Sequence, residues 1–364
     1  MEYLLIFIFI IICIYLNRKL TGNQRKFLLG AICAYLIVLM GFRYRVGIDT
    51  INYSYIFENT IPVSELFDID LTATRIEPAY LIITSIIREY TNEFWPVQII
   101  MAAITNICVF IFIYRYCKNP FVGIFLYSIM AFFYFTTEIL RESAAVGIFL
   151  LNYENFKQRK WGKYYLLSFL SIAFHYSAFI IWVFPFIRKL KLNLWFIILC
   201  AVFIFITPFI ESFNRLLEFT SVTNRLNNYI DGNGLNMNWR ISQIIKNAIP
   251  AIIGLIIYKY KKETEWERPF ILMQILFTIG TFAIPIVFQR FINYTLIFTI
   301  VFLANLLSSH RLSLITRQCL LIVILLSQSI YWSGMYARWI PYVSIFEEVK
   351  IPEREEIWEQ RLHR

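Results

Sequence analysis

The apolar stretch FLLGAICAYLIVLMGF, residues 27–42, runs without a break into Arg43-Tyr44-Arg45-Val46-Gly47-Ile48-Asp49, with Tyr53 and Phe57 following. By composition the first part is a membrane-type helix, and the second sets two arginines and an aspartate directly at its end. Apolar runs of this kind, about 17–25 residues where they cross a bilayer, recur along almost the whole chain. Of 364 residues, 59% are apolar or aromatic and 16% are charged, with a mean hydropathy of +0.61. Soluble domains carry roughly 25% charge. The chain therefore reads as all-α and polytopic, an integral membrane protein with about twelve transmembrane helices.

The net charge of +10 does not point to nucleic acid, because the basic residues lie as short clusters between apolar runs. That is the pattern of positive-inside topology, with the lipid bilayer as the partner. The first run, residues 3–16, lacks a basic leader and a small-residue cleavage site, so it reads as a retained helix. The six cysteines sit in or beside apolar runs with no CxxC or metal-ligand spacing, which favours packing. There is no GxxxxGK[ST] phosphate loop and no HExxH motif, and neither a metal nor any other cofactor is expected.

Six short loops are rich in Lys and Arg, at 17–26, 115–119, 157–163, 188–193, 259–268 and 308–318. Assigning all six to the cytoplasm sets the topology. Helices are predicted at about 3–16, 27–42, 94–114, 120–137, 139–156, 194–210, 243–258, 269–287, 291–307 and 319–336. The run 78–90 is too short to cross and follows an outer loop, so it reads as a re-entrant or interfacial outer helix. Residues 164–187 have basic loops at both ends and read as a hairpin with His175 near its tip. The chain is thus expected to form a single transmembrane domain over 1–345, with outer loops 43–77 and 211–242. Residues 346–364 form a polar extracytoplasmic tail.

In this topology the cytoplasmic loops hold eleven Lys and eight Arg, while the rest of the chain holds two Lys and thirteen Arg. Topology needs only positive charge, whereas planar recognition of phosphate prefers the guanidinium fork. The outer face therefore reads as built to hold phosphate or carboxylate. The plain alternative is that Arg is better tolerated than Lys in buried ion pairs.

Ionisable groups at membrane depth are functional candidates, because each costs several kcal/mol on insertion scales. Arg43 and Arg45, two apart in an extended stretch, would point to opposite sides. One would then face a ligand and the other pair with Asp49, and Gly47 would permit a sharp turn. Glu77 before Pro78 reads as a helix cap or as a base. Glu138 and Arg141 lie one turn apart and are able to neutralise one another. Glu142 and the small residues Ser143–Gly147 follow them on a face suited to close packing. His175 is a core histidine, a general base or a phosphate donor. Arg225 stands among amides and Tyr229 in the 211–242 loop, which suits sugar hydroxyls and phosphates or simply solvent. Arg290, with Tyr294 one turn on, falls between two predicted helices, and Arg338-Trp339 reads as an interfacial belt.

Taken in order, Arg43-Tyr44-x-Val46-Gly47-x-Asp49-x3-Tyr53, Glu77-Pro78-x-Tyr80, Arg141 ahead of small residues, Phe174-His175-x-Ser177-Ala178 and Arg290 with Tyr294 resemble the EpsG family, among the Wzy-like polysaccharide polymerases. The resemblance implies a GT-C-like membrane fold. It implies a glycosyltransferase that polymerises polyprenyl-diphosphate-linked oligosaccharide repeat units at the outer face of the bacterial cytoplasmic membrane. The products of such enzymes are exopolysaccharide, capsule or O-antigen, and a flippase and a chain-length regulator are the implied protein partners. Diphosphate and sugar binding then falls to Arg43, Arg45, Tyr53, Arg141, Arg225, Arg290 and Tyr294. Asp49 is the preferred base, with Glu77, Glu142 and His175 as rivals. A flippase of lipid-linked sugar and a ligase-type glycan transferase are the competing readings, the former weakened by the lack of paired repeats.

Overall fold

The computed structural model describes residues 2–68, 76–188, 237–261, 267–282 and 284–347, with isolated positions between 195 and 202 and between 349 and 356. Most of the helix expected at 194–210 and of the 211–242 loop, Arg225 included, lies outside the described residues. Within them the chain is helical and holds no β-strand, apart from an isolated antiparallel bridge between Arg43 and Ser344. It divides into two compact units, Met1–Trp182 with Gly334–Arg364, and Val183–Ser333.

The first unit is built from α1 (Glu2–Leu16), α2 (Gly22–Gly41), α3 (Asp49–Glu58), α4 (Pro78–Tyr90), α5 (Trp95–Tyr116), α6 (Pro120–Met130), α7 (Phe132–Thr137), α8 (Leu140–Lys157) and α9 (Trp161–Phe174). Local chemistry starts several of these helices. Thr21 and Gln24 form a reciprocal capping box at α2. Pro78 and Pro120 open α4 and α6, where a missing N–H is harmless. Asn119 caps α6 by accepting from the Phe121 N–H at 3.1 Å. At the centre α5 packs against α2 and α8, and α8 against α9. The α5–α8 approach is close enough that a Cβ on Gly147 would sit 3.0 Å from the Cβ of Cys108. Buried Ser143, Ala144 and Ala145 extend that small-residue seam.

The second unit contains α10 (Phe184–Ile187), α11 (Met237–Gln243), a π-helical segment (Ile244–Ala248), α12 (Ile249–Lys261), α13 (Arg268–Gly280), α14 (Pro285–Leu307) and most of α15 (Leu314–Trp339). Here α13 packs against α14 and against the π-helical segment, and α12 packs on α14.

Among the described residues, four helical stretches are long and apolar enough to cross a membrane: Gly22–Gly41, Trp95–Tyr116, Asn238–Tyr258 and Pro285–Leu307. Shorter apolar helices accompany them, among them Tyr3–Leu16, Pro120–Met130 and Arg268–Gly280. On α1, Leu4, Leu5, Ile8 and Ile11 are exposed, as are Leu166, Phe169 and Leu170 on α9. Contiguous apolar exposure of that kind suits lipid as the surrounding solvent. The architecture is that of a multi-pass membrane protein.

Several sequence expectations are corrected in detail. The run 120–137 is two helices, broken at Ala131. Ser128, Thr136 and Thr137 all bond back to the carbonyl four residues earlier, a contact that bends helices. The second limb of the 164–187 hairpin is a 3₁₀ turn, Tyr176–Val183, ahead of the short α10. The 43–77 loop contains α3 and a 3₁₀ turn at Val63–Asp68. The helix expected at 291–307 begins at Pro285, where the fixed proline φ starts it, so Arg290 sits within α14 and not between helices. The short helix expected at 78–90 is present as α4.

Candidate functional site

The segment after α2 is held by its backbone. Tyr44 N–H donates to Val343 O at 2.8 Å, Ile345 N–H to Phe42 O at 2.9 Å, and Gly47 N–H to Arg338 O at 3.0 Å. Arg45 and Gly47 both adopt positive φ, 50° and 92°. Glycine is required at 47, because a Cβ there would sit 2.6 Å from the Cβ of Thr137.

Arg43 does not point to a ligand from an extended strand. Its guanidinium turns inward, 1% exposed, and donates to Met40 O and to Val46 O, the latter at 3.3 Å. Its Nη2 stays buried without a hydrogen-bond partner. Gln98 Nε2 donates to the Arg43 carbonyl at 3.3 Å. Arg45 pairs with Glu355 in the C-terminal segment. Asp49 is half-buried at the first turn of α3, where its Oδ1 accepts from Asn52 Nδ2 at 3.2 Å.

Glu138 does not neutralise Arg141. Its carboxylate accepts from the backbone N–H groups of Ile48 and Asp49, at 3.2 and 3.0 Å, and so caps α3. Trp339 Nε1 donates to the same carboxylate at 3.2 Å and to Thr137 Oγ1 at 3.0 Å. Burial pushes the Glu138 carboxyl up, and the N–H donors and nearby Arg338 oppose that shift. Trp339 is 1% exposed, so it belongs to this anchor and not to an interfacial belt.

Arg141, near the start of α8, forms an ion pair with Glu77, the residue ahead of α4. The Glu77 side chain makes no cap bond to α4 and is 6% exposed. Its other oxygen faces His175 Nε2 at 3.8 Å. His175 ends α9, and its Nδ1 meets the N–H and Oγ of Ser177 at 3.1 and 2.9 Å. The backbone N–H must donate, so Nδ1 accepts and the neutral tautomer carries its proton on Nε2, toward Glu77.

The rings of Tyr53 and Tyr80 flank the Arg141 guanidinium, each centroid 5.7 Å from Cζ. Burial raises the Tyr53 phenol to about 12, against the pull of Arg141. Tyr80 is fully buried, its hydroxyl has no hydrogen-bond partner, and it lies in the field of both Arg141 and Arg43. Arg141 Nε is likewise buried and without a hydrogen-bond partner.

The structure thus gathers Tyr53, Glu77, Tyr80, Arg141 and His175 from four helices of one unit. Glu142 is buried beside them on α8. Arg290, half-buried, and Tyr294, fully buried, lie on α14 of the second unit. Tyr80, three positions after Glu77 and within α4, stood in the Glu77-Pro78-x-Tyr80 motif but was not singled out as a candidate. Glu355 carried no sequence signal, since only the fold of the C-terminal segment brings it to Arg45. Among the described residues, no three His, Cys, Asp or Glu side chains come together as a metal site.

Chemically, this is a fixed cation inside the helical bundle, paired with one carboxylate, walled by aromatic rings and carrying unused donors. An anionic ligand able to replace Glu77 at the guanidinium would release a carboxylate beside a histidine. These features, in a bundle suited to lipid, define a multi-pass membrane protein with a buried anion-type centre. The chain belongs to the EpsG family, matched over residues 26–344. That membership and the helical architecture fit a polysaccharide polymerase, and with it glycosyltransferase-type activity, in general terms. No curated protein and no solved structure matches the chain.

Proposed function

We propose that this protein polymerises polyprenyl-diphosphate-linked oligosaccharide repeat units at the outer face of the bacterial cytoplasmic membrane. The observation that carries the proposal is the Arg141–Glu77 pair between Tyr53 and Tyr80, with His175 behind Glu77. The diphosphate of the donor displaces Glu77 from Arg141, because two phosphate oxygens match the guanidinium fork better than one carboxylate oxygen. Glu77, relieved of its counter-charge, accepts the proton of the acceptor hydroxyl. That hydroxyl oxygen attacks the anomeric carbon and forms the new glycosidic bond. The bond from that carbon to the diphosphate breaks, and the polyprenyl diphosphate leaves with the electron pair. Arg141 stabilises the charge that develops on it.

Glu77 takes the role of base ahead of Asp49, because Asp49 sits at the first turn of α3 while Glu77 adjoins the cation. His175, with its Nε2 proton toward Glu77, orients that carboxylate. Tyr80 offers an unpartnered hydroxyl for a phosphate oxygen or a sugar. Arg43 and Arg45 serve structure in this scheme, one holding the α2 end and the other the C-terminal segment. Arg141→Ala in the producing cell should leave the protein in the membrane while single lipid-linked repeat units accumulate in place of a glycan ladder. A normal ladder would remove the proposal. A flippase would instead exchange the lipid between leaflets without changing glycan length.

A further inference from the structure

The Arg141 centre owes one of its walls to the far end of the chain. Tyr53 reaches the guanidinium from α3, whose N-cap residue, Ile48, makes no side-chain cap bond. The cap comes instead from Glu138, three residues before Arg141. One oxygen of its carboxylate accepts from the Ile48 N–H at 3.2 Å and the other from the Asp49 N–H at 3.0 Å. The Glu138 carbonyl accepts from the Tyr53 hydroxyl at 3.4 Å. Glu138 therefore grips α3 at two points one helical turn apart, and so sets how Tyr53 stands against Arg141.

A glutamate side chain turns about several single bonds, so it positions a helix only if it is itself held. Trp339, 201 positions away in sequence, holds this one: its Nε1 donates to the carboxylate at 3.2 Å and to Thr137 Oγ1 at 3.0 Å. The indole is fixed in turn, buried and stacked on Phe133 of α7 with centroids 5.4 Å apart. Beside it, the Arg338 carbonyl accepts from the Gly47 N–H, just ahead of α3. Residues 338 and 339 thus hold both the approach to α3 and the carboxylate that caps it, all within the first unit. Stacking on Phe133 needs only an aromatic ring. The bond to Glu138 needs the indole N–H, which a phenylalanine lacks.

We propose that Trp339 is a positioning residue for this centre: its indole N–H holds the Glu138 carboxylate against the start of α3 and so keeps the Tyr53 ring on the Arg141 guanidinium. The geometry stands alone, but the choice of ligand rests on the polymerase reading. Linkage is reciprocal, so if the anchor sets affinity at Arg141, a ligand there must tighten the anchor. The probe is polyprenyl diphosphate without sugar, added to the full chain in lipid nanodiscs. In the wild type, hydrogen exchange at the amides of 48–53 should slow on binding, a readout that needs no variant to fold. Trp339→Phe keeps a ring on Phe133, removes the N–H, and should weaken binding by about fivefold, the lower edge of typical coupling between sites. Tyr53→Leu should weaken it too, and adding Trp339→Phe to that variant should then cost less than about twofold more, because both act through one contact. Fluorine at position 53, introduced as 3-fluorotyrosine, tests the geometry without ligand: its resonance should move in Arg141→Ala and in Trp339→Phe alike. Unchanged exchange at 48–53 on binding, an equal loss from Trp339→Phe with and without Tyr53, or a resonance indifferent to Trp339→Phe would each overturn the assignment and leave Trp339 a packing residue. A normal ladder from Arg141→Ala with a Trp339-dependent resonance would sink the polymerase reading and leave the anchor standing.

Discussion

Arg141 and Glu77, 64 positions apart in sequence, meet as an ion pair that the second carboxylate oxygen extends toward His175. The pair joins the start of α8 to the start of α4, and α9 delivers the histidine. A buried charge is tolerated when it is paired, and removing one partner of a buried pair typically costs about 3–5 kcal/mol. The guanidinium keeps an unused Nε donor, which the proposed exchange of Glu77 for a phosphate group would engage.

Arg141→Lys should impair polymerisation nearly as much as Arg141→Ala, because an ammonium retains the charge and loses the fork. The glycan ladder reads the outcome. A Lys variant with wild-type chain lengths would show that charge alone suffices.

Glu77→Gln should abolish the ladder while polyprenyl diphosphate binds at least as tightly as to the wild type. The amide no longer neutralises Arg141, yet it is unable to take the proton. Ligand titration and the ladder together test this, and loss of binding alongside loss of polymer would instead assign Glu77 to holding Arg141 in place.

Glu138→Ala should lower stability without touching the chemistry directly. It leaves the N–H groups of Ile48 and Asp49 and the Trp339 indole without their carboxylate acceptor, at about 1–3 kcal/mol for each donor left buried and unpaired. Melting in detergent, together with proteolysis across residues 43–58, checks this. The expected result is a lower midpoint and faster cutting at α3.

Glu355→Ala should change melting by less than about 1 kcal/mol, since its pair with Arg45 is part-exposed and screened. Arg45→Ala should likewise keep a normal ladder, and loss of the ladder in a well-folded Arg45→Ala protein would return Arg45 to the substrate.

Several members of the Arg141 cluster were conspicuous in the sequence. Glu77 ahead of Pro78, Arg141 ahead of small residues and His175 between aromatics all stand out, because a charge in an apolar run is conspicuous. Their partners were not. Spacing along one helix linked Arg141 to Glu138, whereas the fold gives Arg141 to Glu77 and Glu138 to the end of α3. Proximity in sequence offered Asp49 to one of Arg43 and Arg45, whereas the chain returns after α15 and supplies Glu355 to Arg45. Arg43 looked like a clamp and is instead an internal tie between two carbonyls.

The sequence by itself determined the helical, membrane-type class, the short helix after Glu77 and the residues able to carry charge at depth. These follow from local quantities, namely run length, hydropathy and proline position. Only the tertiary structure decided which charges meet and which are taken up by backbone. Pairing in a membrane bundle depends on which helices pack together, and lipid, as apolar as the residues it touches, leaves that choice to small-residue seams and buried polar contacts drawn from distant parts of the chain.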